Sequence, residues 1–399
     1  MKTWTQLITQ YQTLTKNTSA ENITTGTINI NDSVRTIASI RNGKWKWLEI
    51  VEEMRTVGGK ESYQIPNNIR KVSDVYTRVG NNSQSVNQNN MIYMPIMVYD
   101  PYRWKMVLSS KLGSSDIPRF MYIKDDTLEV NPIPQSDNNI MYIRGRRDIR
   151  DMGISDYTTG SIVTVPYTAT LTSAPQAGDT SATLTSNWSL PTGVYEITFS
   201  DSEIRVVTLT NGSPAITWSD ELLDDSTTTI TVGSDTGGSI VIGTGTTWTT
   251  PMAGRYIQIA DSSTANKGDG FWYEIDEILS STALTLKKKY QGTAIVSGTA
   301  AYTIGQCSPI PDAYQMAPLY RAVAIYWDIQ GDTKISERYW RLYDGGYEAG
   351  LRDTVGGLLG QMLEESGATE EGSYISPNGW QPWRISPNDP EPDVAQSSF

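Results

Sequence analysis

Histidine is absent from the 399 residues. With it go every Ser-His or Cys-His nucleophile arrangement, every imidazole metal ligand and the usual near-neutral proton shuttle. Cysteine occurs once, as Cys307, so there is neither an intrachain disulfide nor a thiolate cluster for zinc. No cofactor and no metal are expected. Nowhere do 18 apolar residues run together, which rules out a bilayer-spanning helix and predicts a chain without membrane attachment. Residues 1–14 interleave polar positions with Trp4, Leu7, Ile8, Tyr11 and Leu14 where a secretory leader would carry a continuous apolar stretch, so no leader is expected. In that setting the six Asn-x-Ser/Thr triplets, at Asn17, Asn22, Asn31, Asn81, Asn187 and Asn211, have no meaning as glycan acceptors.

What is present is aromatic and acidic. Phe is scarce at 4, but Trp and Tyr number 12 and 22, residues that serve cores and interfaces alike. The formal net charge is -12, which opposes broad adhesion to phosphate backbones or anionic lipid. It is unevenly spread: residues 1–156 carry +4, residues 157–304 carry -8 and residues 305–399 carry -8. A chain of this length has room for two or three domains.

The organisation follows from periodicity and turn chemistry. Positions 4, 7, 8, 11 and 14 share one face of an opening helix. A second helix is predicted from Asn31 or Ser33 through Ile40, with Gly43 as its stop. Alternation at Trp45, Trp47, Glu49 and Val51, the Gly58-Gly59 turn and Ser62 to Ile65 predict a hairpin. Strands are expected over 71–79, 121–123, 128–130 and 140–145, and a short helix from Asp100-Pro101. Between Tyr157 and residue 304 the chain turns to Thr, Ser, Gly and β-branched residues, the composition of all-β modules. A weak repeat sets Trp188 before Gly193-Val194-Tyr195 and Trp248 before Gly254-Arg255-Tyr256. The Thr236-Gly237-Gly238 turn would divide two sandwich- or barrel-like modules at 157–235 and 236–304. Helical signals return at Pro311-Asp312. One helix is predicted to Gln330 and another to about Gly360, with an apolar stripe that includes Leu342, Tyr347, Leu351 and Val355 and with Gly345-Gly346 as its point of weakness or kink. Beyond Gly367 the chain is Gly, Pro, Ser, Asn and acid, yet it holds Trp380, Trp383 and Phe399. Bulky anchors in a segment too polar to fold alone suit a tail, 371–399, that orders on a partner.

Catalysis by a chain without imidazole would fall to paired carboxylates. The densest acidic stretch is 269–277, where strand alternation places Glu274 and Asp276 on one face with Trp272. This could be a sugar site; the plain reading is a solvated strand face. Residues 261–270 resemble an acidic turn, but their oxygen ligands lack the spacing of a calcium loop. Lys287-Lys288-Lys289 and the arginines at 144, 146 and 147 form the dense basic runs, and lacking a stacking platform they are expected to pair with acidic patches or line a contact. No catalytic, cofactor or metal residue is assigned.

Several stretches together resemble the tailed-phage head-to-tail adaptor proteins, also called connector, neck or tail tubular proteins. They are the N-terminal helices, Trp45-x-Trp47, Tyr63-Gln64-Ile65-Pro66 leading into a strand at 70–79, Ile117-Pro118-Arg119-Phe120-Met121-Tyr122, Leu128-Glu129-Val130-Asn131-Pro132-Ile133-Pro134, and the C-terminal helical pair. The stretches 170–218 and 243–305 look like β-modules of phage structural proteins. The resemblance implies an α+β fold, with residues 1–156 and 305–370 forming one discontinuous core of helices and β-hairpins that the two all-β modules interrupt. It also implies a non-enzymatic virion protein made in the bacterial cytoplasm and placed at the head-to-tail junction. Its partners would be the portal protein, further neck and tail components (nozzle or tube, fibres) and itself, in a ring of twelve. DNA would pass through without specific binding. In similar adaptors a C-terminal extension embraces the portal, a role that would fall to Trp380, Trp383 and Phe399. The other reading of the β-modules is a receptor- or glycan-binding tail protein.

Overall fold

The structure is a computed structural model. It describes residues 1–365 apart from 41–44, 57–58, 67, 80–90, 94, 110–117, 135–139, 200–202, 219–220, 223, 235–236, 261–267 and 297–299. The described residues form a mixed α+β protein with several sheets. The sequence-read stop at Gly43 and the tail 371–399 lie outside them.

Helix α1 (Trp4–Thr15) opens with a reciprocal cap, in which the Thr3 hydroxyl accepts from the Gln6 amide and the Gln6 side chain accepts from the Thr3 amide. Helix α2 (Ala20–Ser39) begins well before the expected Asn31, at Ser19, whose hydroxyl accepts from the Asn22 amide. Its first half, rich in Thr, Asn and Gly, has low helix propensity. It is held by packing: a Cβ on Gly26 would lie 2.5 Å from the Tyr11 ring, so the missing side chain is what lets the two helices approach.

The chain then builds two four-stranded sheets. One has the order β1 (Glu49–Arg55), β8 (Ile140–Arg147), β3 (Ile69–Val79), β4 (Met91–Tyr93). The other runs β2 (Ser62–Gln64), β7 (Thr127–Asn131), β6 (Phe120–Lys124), β5 (Ile96–Val98). Helix α3 (Pro101–Ser109) follows β5. The strands and helix expected here are found, but the hairpin is not. β1 pairs with β8 along seven residues and β2 pairs with β7 along three, in different sheets. The longer nonlocal ladder wins because it buries Ile50, Met141 and Ile143 against Tyr63, Met121 and Leu128 of the other sheet.

The Thr-rich region is built of strands apart from one 3-10 turn at Thr250–Met252. β10 (Thr168–Thr170), β15 (Thr229–Ser234), β12 (Gly193–Thr198) and β13 (Ile204–Leu209) form one sheet, beside the pair β11 (Ser181–Thr183) and β14 (Ala215–Thr217). A six-stranded sheet follows in the order β20 (Tyr302–Gly305), β17 (Tyr256–Ile259), β18 (Trp272–Ser280), β19 (Ala283–Leu286), β16 (Ile240–Thr244), β9 (Ser161–Thr164). The first strand of the region thus joins the sheet of the last, and residues 168–234 are threaded between them. The tryptophans of the weak repeat, Trp188 and Trp248, are both buried, each in its own apolar cluster.

The chain returns to α1 through an antiparallel bridge between Thr3 and Cys307, and Trp4 N donates to Gln306 O at 2.8 Å. Helices α4 (Met316–Ile329), α5 (Thr333–Asp344) and α6 (Gly357–Glu365) then pack with α1 and α2 around Leu7, Tyr11, Ile30, Ile37, Leu319 and Val323. The expected long helix to Gly360 is in fact two. Gly345, at φ +78°, takes the left-handed conformation that closes α5, and a Cβ on Gly357, at φ +58°, would lie 2.7 Å from the Tyr343 carbonyl oxygen. Tyr347, Leu351 and Val355 therefore leave the helical stripe and are exposed on the connecting turn. No helix among the described residues is long and apolar enough to cross a membrane.

Candidate functional site

Strand β18 does place Glu274 on one face with Trp272 and Asp276, all half-buried, while Tyr273 and Ile275 face the core. The Glu274 carboxylate, however, is a counter-ion. Arg147, at the end of β8, donates from Nη2 to Glu274 Oε2 at 2.9 Å, and Lys287 Nζ stands 3.2 Å from Glu274 Oε1. Lys287 also donates to Glu52 Oε1 of β1 at 2.7 Å, and Asn68 Nδ2 donates to the same oxygen. Arg147 further donates to the Tyr256 hydroxyl. Burial, and then the charge of Glu274, pushes the Tyr256 phenol up to about 12 against the opposing pull of Arg147. Burial works against the Arg147 cation, but Tyr256 and Glu274 outweigh it and hold its pKa above the usual arginine value.

These six side chains form a polar joint between the sheet of β1, β8 and β3 and the six-stranded sheet, and other members of the two basic runs also make ion pairs. Arg144 reaches Glu49 at 3.0 Å and Asp74 at 3.6 Å, and Lys289 reaches Glu196 at 3.3 Å. Each oxygen of the Glu274 carboxylate is thus already paired with a cation, the arrangement of a structural counter-ion. The paired-carboxylate reading of Glu274 and Asp276 is thereby disfavoured. The structure brings Glu274 and the basic runs together; Trp380, Trp383 and Phe399 lie outside the described residues, as do 261–267 of the acidic turn. Asp269, at the far end of that turn, accepts from the Tyr273 hydroxyl and from Phe271 N. Burial and this carboxylate push Tyr273 up to about 12. Among the described residues no group of three or more acidic or Cys side chains is arranged to hold a metal ion. Burial also pushes the Cys307 thiol up to about 12, which leaves it without nucleophilic character.

A second set of polar contacts ties the helices. Arg321 of α4 is buried, donating to Glu348 from Nε at 3.0 Å and from Nη2 at 2.7 Å, and to Asp32 of α2 at 3.0 Å. Asn31 of α2 donates to Met152 O at 2.7 Å and accepts from Met152 N at 3.0 Å. The Asp344 carboxylate receives the amides of Gly346, Tyr347 and Glu348, and burial nonetheless raises its pKa. Arg321 and Asp344 are not among the residues the sequence singles out, and Asn31 lies inside α2 instead of capping it. The available signal was a lone arginine among the apolar residues of 316–327.

The described contacts hold sheets and helices together. Residues 2–191 match the family model described as SU10 adaptor protein, which supports the likeness to phage head-to-tail adaptors. The matched stretch runs from α1 through the two four-stranded sheets to the Thr-rich region and ends just before β12. A comparison with curated proteins finds no match.

Proposed function

We propose that this chain, which matches the SU10 adaptor family model over residues 2–191, is a non-enzymatic part of the virion that joins the portal to the tail. The adaptor-family match is the observation that carries this reading. The packing of α4, α5 and α6 on α1 and α2 supports it, since it extends the matched region with the C-terminal helices. Twelve copies form a ring, and a net charge of -12 per copy lines the conduit with carboxylate that repels passing DNA. The β-rich segments between residues 157 and 304 project from the core formed by residues 1–156 and 305–370. The tail 371–399 grips the portal through Trp380, Trp383 and Phe399, and the opposite end of the ring receives further neck and tail proteins. The chain is synthesised in the bacterial cytoplasm and ends at the head-to-tail junction.

Deletion of residues 371–399 tests the portal contact. The expected result is a folded protein that no longer attaches to portal-bearing heads. Undiminished attachment overturns the role of the tail, and electron microscopy that locates the chain at the distal tip of the particle overturns the adaptor reading as a whole.

A further inference from the structure

One carboxylate oxygen, Glu52 Oε1, serves two donors at once. Lys287 Nζ donates to it at 2.7 Å, and Asn68 Nδ2 donates to the same atom. The two nitrogens therefore stand within about 5 Å of each other. A primary amine and a primary carboxamide that share one carboxylate oxygen are the components of an amide exchange. The amine is the nucleophile, ammonia is the leaving group, and the carboxylate carries protons from the first nitrogen to the second.

Each of the three groups is placed by hydrogen-bonded backbone. Glu52 lies in the middle of β1, opposite Ile143 of β8. Asn68 precedes β3, and its carbonyl accepts from Asp148 N at 2.7 Å. Lys287 directly follows β19, and its amide donates to Glu274 O at 3.0 Å. Positioning of this kind removes much of the entropic cost of bringing two reactants together. The Glu52 and Lys287 side chains are only 16% and 20% exposed, so little water competes for the proton between them. Charge also favours its transfer. Lys287 stands 3.2 Å from Glu274, but Glu274 keeps Arg147 as its own cation at 2.9 Å. Moving one proton from Lys287 to Glu52 leaves a neutral amine, a neutral acid and an intact Arg147–Glu274 pair, with no carboxylate stranded.

We infer that Lys287 and Asn68 join in an isopeptide bond, with Glu52 as the proton carrier, which ties the start of β3 to the segment after β19. Glu52 Oε1 accepts a proton from the Lys287 ammonium, and the freed amine attacks Asn68 Cγ. The proton is then handed to Nδ2 as the Cγ–Nδ2 bond breaks. The second proton lost from Nζ departs with the ammonia as ammonium, so atoms and charge balance. One amide is exchanged for another, and neither oxidant nor cofactor is consumed. The ion pairs of Lys287 are the arrangement before this bond forms. The inference concerns a single chain and does not rest on the adaptor reading.

Intact mass spectrometry of the denatured full-length protein tests it, on fresh material and after prolonged incubation. The expected mass is lower than that of the sequence by one ammonia, and proteolysis is expected to release a branched peptide joining residues 68 and 287. The branched peptide is decisive, because cyclisation of an asparagine elsewhere also expels ammonia. The full sequence mass, or ammonia loss with residues 68 and 287 on separate linear peptides, overturns the proposal. Lys287→Arg keeps the cation without a nucleophilic amine and is expected to retain the full mass, as is Asn68→Ala; a branched peptide in either overturns the assignment. Glu52→Gln preserves size and hydrogen bonding. With an unchanged far-ultraviolet spectrum, it is expected to slow formation of the branched peptide by about a hundredfold, the ordinary worth of a positioned acid–base group. An undiminished rate in Glu52→Gln overturns the role of Glu52, and the wild-type mass decides the bond itself whether or not a variant folds.

Discussion

Lys287 Nζ lies 2.7 Å from Glu52 Oε1 although 235 residues separate them in the chain. The contact joins β1 to the segment after β19, and through Glu274 and Arg147 it becomes a line of alternating charge between two sheets whose apolar clusters are distinct. The mutual orientation of those sheets is therefore set in part by ion pairs. Side chains here are 13–23% exposed, so the pairs are neither solvent-screened nor fully desolvated.

Removing one member leaves the others short of a counter-charge. Lys287→Met is expected to destabilise the protein by about 1–3 kcal/mol, less than the cost of breaking a fully buried pair. A double-mutant cycle of Arg147→Met and Glu274→Gln, read by denaturant unfolding, is expected to show a coupling above about 0.5 kcal/mol. Strict additivity would mean that the joint is ornamental.

Gly26 sits in a helix, where alanine is ordinarily the better residue by about 1 kcal/mol. Here the order reverses. The added methyl would meet the buried Tyr11 ring at 2.5 Å, and overpacking costs about 1–3 kcal/mol. Gly26→Ala is expected to lower the thermal midpoint by several degrees, and a rise would show that α1 and α2 can separate freely.

Asn31 is bound through both halves of its amide to the backbone of Met152. Asn31→Ala strands a buried donor and a buried acceptor, for an expected loss of about 2–4 kcal/mol. Asn31→Asp keeps the acceptor alone and should not restore stability. Hydrogen exchange at the Met152 amide, slow in the wild type, becomes fast in both variants.

Tyr256 is one of the buried tyrosines, with Tyr11, Tyr302 and Tyr343, through which alkali acts on the fold. Its phenol stands at about 12 in the fold, against about 10 in an unfolded chain. A phenol with a raised folded pKa favours the native state while neutral, fully below pH about 10, and that contribution is lost as the pH climbs towards 12. The shift corresponds to roughly 2–3 kcal/mol. Spectrophotometric titration should therefore show a late class of tyrosines that ionises together with unfolding, and Tyr256→Phe should flatten the fall in stability between pH 10 and 12. An unchanged slope would place the effect elsewhere.

Much of the fold was legible in the chain because local rules govern it. The strands at 69–79, 120–124, 127–131 and 140–147 declare themselves by alternation. Helix α3 opens at a proline, preceded by Asp100, whose carboxylate accepts from Tyr102 N. The failures share one cause, tertiary override of local preference. Polar residues 20–30 become helix because Gly26 admits Tyr11, the expected hairpin at 49–65 yields to the longer partner β8, and the weak point at Gly345-Gly346 becomes a full break, with a left-handed glycine at the end of α5.

The candidate chemistry divides in the same way. Composition alone removed imidazole catalysis, because a side chain that is missing cannot be supplied by folding, and it set the sign and uneven spread of charge. Where each charge is used was decided only in three dimensions. Glu274 could be written as half of an acid pair or as a counter-ion until folding brought Arg147 and Lys287 against it, and Tyr102 and Met106 could be core or surface until Trp104 took the inward face of α3. Periodicity tells which residues share a face, but burial and pairing depend on what the rest of the chain brings to that face, and those contacts are set by packing across hundreds of residues.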